Sequence, residues 1–498
     1  MFTKFKQAAQ CLMEPVHIVL AALYTVLATV LLVVLVRLLF ALLFPFMYLG
    51  SRTGYDSVVS RFPVCFLIGG VAVVSFFAAQ RGLPFGPGTL RILAGTVFWL
   101  FALYTVISAY HAASEVPPRF DQYEATIASR WPDRWYARHM KRPLNAIYIR
   151  RMVVNSLVTI PAAAAVIIPG TLSPYSAVFF LLALVVTGVA QESVDHSDMH
   201  NNLFARHHLR GGVRSVFWLT NRYLRLILNP VCLRIPHFYR AQHLYIHHVE
   251  NNGTRDIQTT VHYDRTSFFD FARYALTLGL SWSFAIDVYR YLHGRGNFRQ
   301  CRLLIVGLVC WFGALGLIAL HNPAAALYFF ALRFFSGLGI AQSVYFWHAL
   351  ADPNDPDNIY TNTINLVPYE LGTLETAELH VLHHKRSSIH FTRLITIDHE
   401  MHEHWCKRSV LSLSIVTADP GLFLKALLVR RFDVIADFIV HAEGMKKEEL
   451  MSLIEYRTRP IKERKRSSLY RHLDRLCARI AAACLIPGRL PSVPASPT

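Results

Sequence analysis

The sequence is poor in charge, and in acid above all. Only 16% of its 498 residues are charged, and 32 acidic side chains stand against 50 Lys and Arg, whereas soluble chains carry roughly 25% charged residues. With 53% hydrophobic residues and a mean hydropathy of +0.33, the chain is too apolar for an ordinary soluble enzyme, and the bilayer is its expected solvent. Cysteine is scarce and unpatterned: Cys11, Cys65, Cys232, Cys301, Cys310, Cys406, Cys477 and Cys484 form no CxxC pair and keep no regular spacing. That excludes a disulfide framework, a zinc ribbon and a rubredoxin-like site, and the eight read as reduced thiols. HExxH is missing, which argues against a membrane zinc protease, and there is neither a Gly-rich phosphate loop nor an internal repeat. Met1 to Lys6 lead into a long apolar stretch without a small-residue cleavage site, so the start reads as a retained membrane segment.

Apolar runs are abundant instead. Segments 17–44, 62–80, 90–112, 152–169, 174–190, 302–320 and 323–347 each approach the ~20 residues that cross a bilayer, with 267–287 and 408–429 as weaker candidates. Two pairs are joined by short breaks, Pro169-Gly170 with Ser173-Pro174 and Asn322-Pro323, so 152–190 and 302–347 read as helix hairpins that return the chain to the side it left. The segment 267–287 contains Arg273, Asp287 and a Trp-rich SWSF, and reads as a helix lying in the interface. An amphipathic helix is expected at 446–457, and disorder in the Pro/Ser-rich Pro487–Thr498.

The net charge of +18 concentrates in 113–151, 204–302 and 455–479. Nucleic-acid binding is the first reading to weigh, and it loses: basic loops beside apolar helices follow the positive-inside rule and suit anionic headgroups. Arg119, Arg130, Arg134, Arg138, Lys141, Arg142, Arg150 and Arg151 before the first hairpin, and Arg206, Arg210, Arg214, Arg222 and Arg225 after it, place that face in the cytoplasm. The N-terminal side stays open. Three crossings before residue 113 put Met1 outside, whereas a hairpin around Arg37 puts it inside.

Histidine carries the chemistry. Of 24, nine fall between His196 and His262 and seven between His380 and His404, each group just after a hairpin. Three runs stand out: His196-Ser-Asp-Met-His200, His243-Leu-Tyr-Ile-His247-His248 and His380-Val-Leu-His383-His384. At about 100° per residue, positions i, i+3 and i+4 share one helical stripe, so each run aims two or three imidazoles one way. Eight neutral imidazoles exceed what one tetrahedral zinc accepts, which implies two metals, with iron the natural choice for oxygen chemistry. A metal or proton transporter would hold its histidines within the spans, near the midplane; here they follow the spans. A b-type haem carrier would need histidines paired across facing helices.

In these three boxes, their order, their separation and their relation to the hairpins, the chain resembles the membrane fatty acid desaturase superfamily over about 150–405. The resemblance implies an all-α integral membrane protein of transmembrane helix hairpins with a cytoplasmic helical cap carrying a histidine-rich di-iron site. It implies His196, His200, His243, His247, His248, His380, His383 and His384 as ligands of two iron ions, with O2 as co-substrate. His348 resembles an additional metal-binding histidine of some members. The second box departs from many members in having three residues, not two, before its His-His pair; the segment before 150 is longer than the family core needs; and no haem-binding HPGG segment is fused.

The organisation expected is an N-terminal transmembrane segment 1–112, a basic cytoplasmic linker 113–150, a desaturase-like catalytic domain 151–405 and a basic cytoplasmic region 406–498. Asp256 and Glu378, and less so Asp195 and Asp198, are candidates to accept the second N–H of a ligating imidazole. His207-His208 are candidates for a supporting or headgroup contact, and the further group His390, His399, His402 and His404 for shaping the cap. The activity implied is O2-dependent desaturation of an acyl lipid in the cell inner membrane. Hydroxylation or ketolation of a lipid, alkane or carotenoid at the same metals is the alternative. No electron-carrier motif is present, so a separate ferredoxin-, flavodoxin- or cytochrome-like donor is expected on the basic face.

Overall fold

The computed structural model describes residues 133–462, apart from 170–171, 173, 368–378, 391–392, 394–396, 399, 402–404, 406–409, 415–419 and 441–444, together with 472 and 474–476. These residues all belong to a unit spanning Thr105–Thr498. The spans expected at 17–44, 62–80 and 90–112, the start of the basic linker and the Pro/Ser-rich end lie outside the described residues.

Four long helices form the two expected hairpins. The first is α1 (Ala146–Ile167) with α2 (Pro174–Asn201). After α3 (Gly211–Tyr223), α4 (Phe268–Phe284) and α5 (Ile286–Gly294) comes the second hairpin, α6 (Phe298–His321) with α7 (Pro323–His348). The turn at 322 is built by its own sequence: the Asn322 side chain accepts the Ala325 N–H at 3.1 Å, and Pro323 occupies the first helical position, where no N–H is needed. At ~1.5 Å per residue, α1, α6 and α7 measure roughly 33–39 Å, enough for a hydrocarbon layer of ~30 Å. Among the described residues those three helices are long and apolar enough to cross a membrane, and α2, bent by 48° between Val185 and Ala190, makes a fourth if its two halves are one span.

The two hairpins turn at the same end. Asn322 Nδ2 donates to the carbonyls of Val166 and Ile167 at 3.1 and 3.4 Å, Tyr328 OH donates to Ala177 O at 2.6 Å, and Phe180 stacks on Phe329 at 4.7 Å. With their turns side by side, the far ends of α2 and α7 also lie together, and those ends carry the first box and His348. Polar pairs lock α1 to α2 on the way there: Arg151 to Ser193, Asn155 Nδ2 to Gln191 Oε1 at 2.9 Å, and Thr159 with Thr187 at 3.1 Å. Such hydrogen bonds join helices where apolar faces alone give no preference over lipid.

Small residues bring the remaining elements close. On α4, Gly279 meets Gly337 of α7, where an added Cβ at 337 would lie 2.9 Å from the Gly279 Cα. Gly307 of α6 lies against the Pro236 carbonyl, just before the helix of the second box, and any Cβ there would overlap the Pro236 backbone. Gly307→Ala is therefore expected to lower stability by about 1–3 kcal/mol, read as a fall in thermal midpoint in detergent; an unchanged midpoint would disprove the contact.

Three expectations change. The protein is mostly helical rather than all-α: β1 (Ile364–Val367) pairs in parallel with β2 (Leu411–Ser414), Ile364 opposite Leu411 and Val367 opposite Ser414. The weak span at 408–429 is not one helix, because it is divided between β2 and the nine-residue α9 (Pro420–Leu428), which follows the third-box helix α8 (His380–Lys385). Leu411-Ser-Leu-Ser414 alternates with the period of a strand, which explains the failure. α2 also runs on past 190 to Asn201, so the first box sits on the span's own last turns. Helices α10 (Phe432–Ala436) and α11 (Lys447–Arg457) complete the cap, the latter at the amphipathic segment expected.

Candidate metal centre

Nine histidines from four places in the chain come together at the ends of the hairpins. His196 and His200 stand one turn apart on α2, and His348 ends α7. His380, His383 and His384 line α8, whose first turn is pinned by β1, since Asn365 Oδ1 accepts the Val381 N–H at 3.0 Å.

The second box needs a different local structure. At ~100° per residue, His248 would point some 140° away from His243 on a regular α-helix. The chain instead forms a π-turn over His243–His247, in which the His248 N–H bonds back to the His243 carbonyl five residues earlier. An i→i+5 bond sets residue i+5 over residue i much as α geometry does for i+4, so the extra residue in this box is absorbed and all three rings converge.

Two quartets result. One is His196, His200, His243 and His383; the other is His247, His348, His380 and His384; within each, the ligating nitrogens all lie within 4.8 Å of one another. His248 sits between them, its ring centroid 4.5 Å from His383 and 4.6 Å from His384. The Nε2 atoms of His196 and His243, His196 and His383, and His248 and His243 approach to 3.1 Å, and those of His380 and His384 to 3.2 Å.

The far side of several rings fixes their tautomers. His348 Nδ1 faces the Asn362 backbone carbonyl at 2.7 Å, an oxygen that can only accept, so Nδ1 carries the proton and Nε2 a bare lone pair. His247 Nδ1 donates to Asp256 Oδ2 at 2.7 Å, and His384 Nδ1 to Asn251 Oδ1 at 2.9 Å. Burial opposes ionisation of Asp256, but His247 and the backbone N–H groups of Gln258 and Asn252 outweigh it and hold the carboxyl below its usual range. Burial first, and neighbouring imidazoles second, push His243, His248, His383 and His384 well below the ordinary histidine range, so they are neutral at pH 7. With the proton on Nδ1, His247, His348 and His384 each bring a bare Nε2 lone pair to the same quartet, which is unfavourable unless a cation is shared among them. The His200 Nε2 and His248 Nδ1 atoms are likewise buried with no partner. The donor set therefore fits two metal ions.

Other expected residues lie elsewhere. Asp195 binds Arg234 and Asn229 at 3.0 and 2.9 Å, and Asp198 binds Arg225 at 2.7 Å, so both balance guanidinium charge and not an imidazole N–H. His207 and His208 are exposed, and His208 Nε2 donates to the His139 carbonyl at 3.0 Å. His390 Nε2 donates to Asn145 Oδ1 at 2.9 Å, away from both quartets, and burial with the nearby Arg142 pushes its pKa down to about 4. Glu378, His399, His402 and His404 lie outside the described residues.

Two supporting residues have no motif. Asn251 caps the second-box helix in the left-handed conformation (φ 49°), reaching His384 with its side chain while its carbonyl accepts Asn362 Nδ2 at 2.8 Å. Asn is the residue type that tolerates that conformation, and the Asn251-Asn252-Gly253 run, separated by two residues from the His247-His248 pair, was the available signal. Asn362 reaches His348 through its backbone carbonyl, which no residue identity reports, while its side chain holds the Asn251 carbonyl.

Searches against protein families, curated proteins and solved structures find no match to this chain. The geometry stands by itself. Among the described residues it is a helical protein with three to four candidate membrane spans and two buried four-histidine clusters suited to a pair of metal ions.

Proposed function

We propose that this chain is a membrane-bound, O2-dependent fatty acyl desaturase, with two irons in the histidine quartets on the cytoplasmic side of the cell inner membrane. The observation that carries the reading is the pair of adjoining all-imidazole quartets at the ends of apolar hairpins, with His348 completing the second. An all-nitrogen, neutral donor set suits a borderline transition metal, and the desaturase-like order of the boxes favours iron among these.

The net reaction joins an acyl –CH2–CH2– unit, O2, two electrons and two protons to give –CH=CH– and two waters, the electrons coming from a separate ferredoxin-, flavodoxin- or cytochrome-like carrier. When bound, the irons supply the reduction of O2 and the oxidising power for removal of hydrogen. The protein supplies position and dryness. Asp256, Asn362 and Asn251 hold the Nδ1 protons of His247, His348 and His384, so that each Nε2 stays available and its ring stays oriented. The π-turn keeps His248 between the quartets, and burial of the rings excludes water from the oxidising centre.

Lipid profiling of a host with and without the gene tests the reading. Acyl chains lighter by two hydrogens are expected only with the gene present. Gain of one oxygen would replace desaturation by hydroxylation at the same metals, and an unchanged profile would remove the oxidase.

A further inference from the structure

Beside the third box lies a cavity of about 770 Å³ whose wall is cationic. Lys141, Arg142, Lys385, Arg386 and Arg393 line it, with the hydroxyls of Ser387 and Ser388 and the buried His390, and none of the described lining residues is acidic. A volume of that order falls within the roughly 300–1,000 Å³ of small-molecule sites.

Two of the five cations are held in place by their neighbours. Arg142 is half-buried, donates to Asn201 Oδ1 at 2.9 Å, and has its pKa lowered by burial and by the like charge of Arg393. Lys385 Nζ donates to Tyr360 OH at 2.5 Å and lies over that ring at 4.7 Å from its centroid. Among the described residues no carboxylate pairs with any of the five. Like charges gathered in an open depression without a paired carboxylate favour an anion with several oxygens.

The walls connect directly to the metal centre. Lys385 and Arg386 follow His384, and Asn201, the residue that holds Arg142, follows His200. An anion seated here is thus tied to the ends of two histidine-bearing helices.

We propose that this cavity seats the phosphate of the acyl substrate's head group, an inference that rests on the acyl oxidation proposed above. The head would be anchored at the five cations, and the length of chain from there to the quartets would decide which carbons react.

The test uses the purified full-length protein and calorimetric titration with dihexanoyl phosphatidylglycerol, with dihexanoylglycerol, which lacks the phosphate, and with inorganic phosphate. Phosphatidylglycerol is expected to bind far more tightly than dihexanoylglycerol. The double variant Arg386→Gln/Arg393→Gln, which removes two exposed side chains, should weaken it by about tenfold per cation. The Arg210→Gln variant, exposed and outside the cavity, should leave binding unchanged. Inorganic phosphate binding as tightly as the lipid would assign the same seat to a soluble phosphate-bearing acyl carrier. Equal binding of the two lipids, or equal losses in the double variant and in Arg210→Gln, would overturn the proposal. The two readings fail separately: cation-dependent phosphate binding in a chain that oxidises no lipid removes only the acyl oxidation, while desaturation without phosphate binding removes only the seat.

Discussion

His383→Ala and His247→Ala, one in each quartet, are each expected to take the proposed lipid desaturation below detection while leaving the helical content unchanged. The two rings come from different boxes, and each occupies one corner of a four-nitrogen group. Removing either opens one metal position without touching the hairpin contacts, which are made at the opposite end by Asn322, Tyr328 and Phe180. The metal content should therefore fall from about two ions per chain towards about one, since a metal with four protein ligands depends on all of them and the other quartet keeps its own. Circular dichroism and metal analysis on the same preparations check this. Retained turnover in either variant would take that histidine out of the site, and loss of both metals from one substitution would show that the quartets act as a single unit.

Asp256→Ala should lower activity or metal affinity by about 10–100-fold, the usual consequence of removing the partner that orients a ligating imidazole. The carboxylate accepts from His247 Nδ1 at 2.7 Å and from the backbone N–H groups of Asn252 and Gln258, each at 2.9 Å. Alanine leaves those donors buried and unpaired, at roughly 1–3 kcal/mol each, so the thermal midpoint of the metal-free protein should also fall. Asp256→Asn keeps one accepting oxygen and should lose much less of both. If Asp256→Ala leaves metal affinity and activity unchanged, Asp256 contributes nothing through His247.

The site was far more legible in the sequence than the cap around it. His196 with His200, and His380 with His383 and His384, follow from helical spacing alone, because each set shares a stripe on a regular helix. The second box does not. Its six-residue span puts His248 off the stripe of a regular helix, and only the π-turn brings the ring back. The fold brings Asp256 to His247 from nine residues away, whereas Asp195 and Asp198, closer to histidines in sequence, face Arg234 and Arg225 brought from elsewhere in the chain. Asn251, Asn362 and the pairing of β1 with β2 depend on contacts across the chain, and no residue pattern specifies them. The hairpins were legible for a simpler reason: a long apolar run bounded by Asn-Pro or Pro-Gly needs no partner to be read.

The central claim is that the histidine quartets hold two irons. Metal analysis of the wild-type protein, purified after expression in iron-supplemented medium and combined with Mössbauer spectroscopy, tests it most directly. The expected result is about two irons per chain in an all-nitrogen protein ligand field. Zinc alone at about one per chain would contradict it.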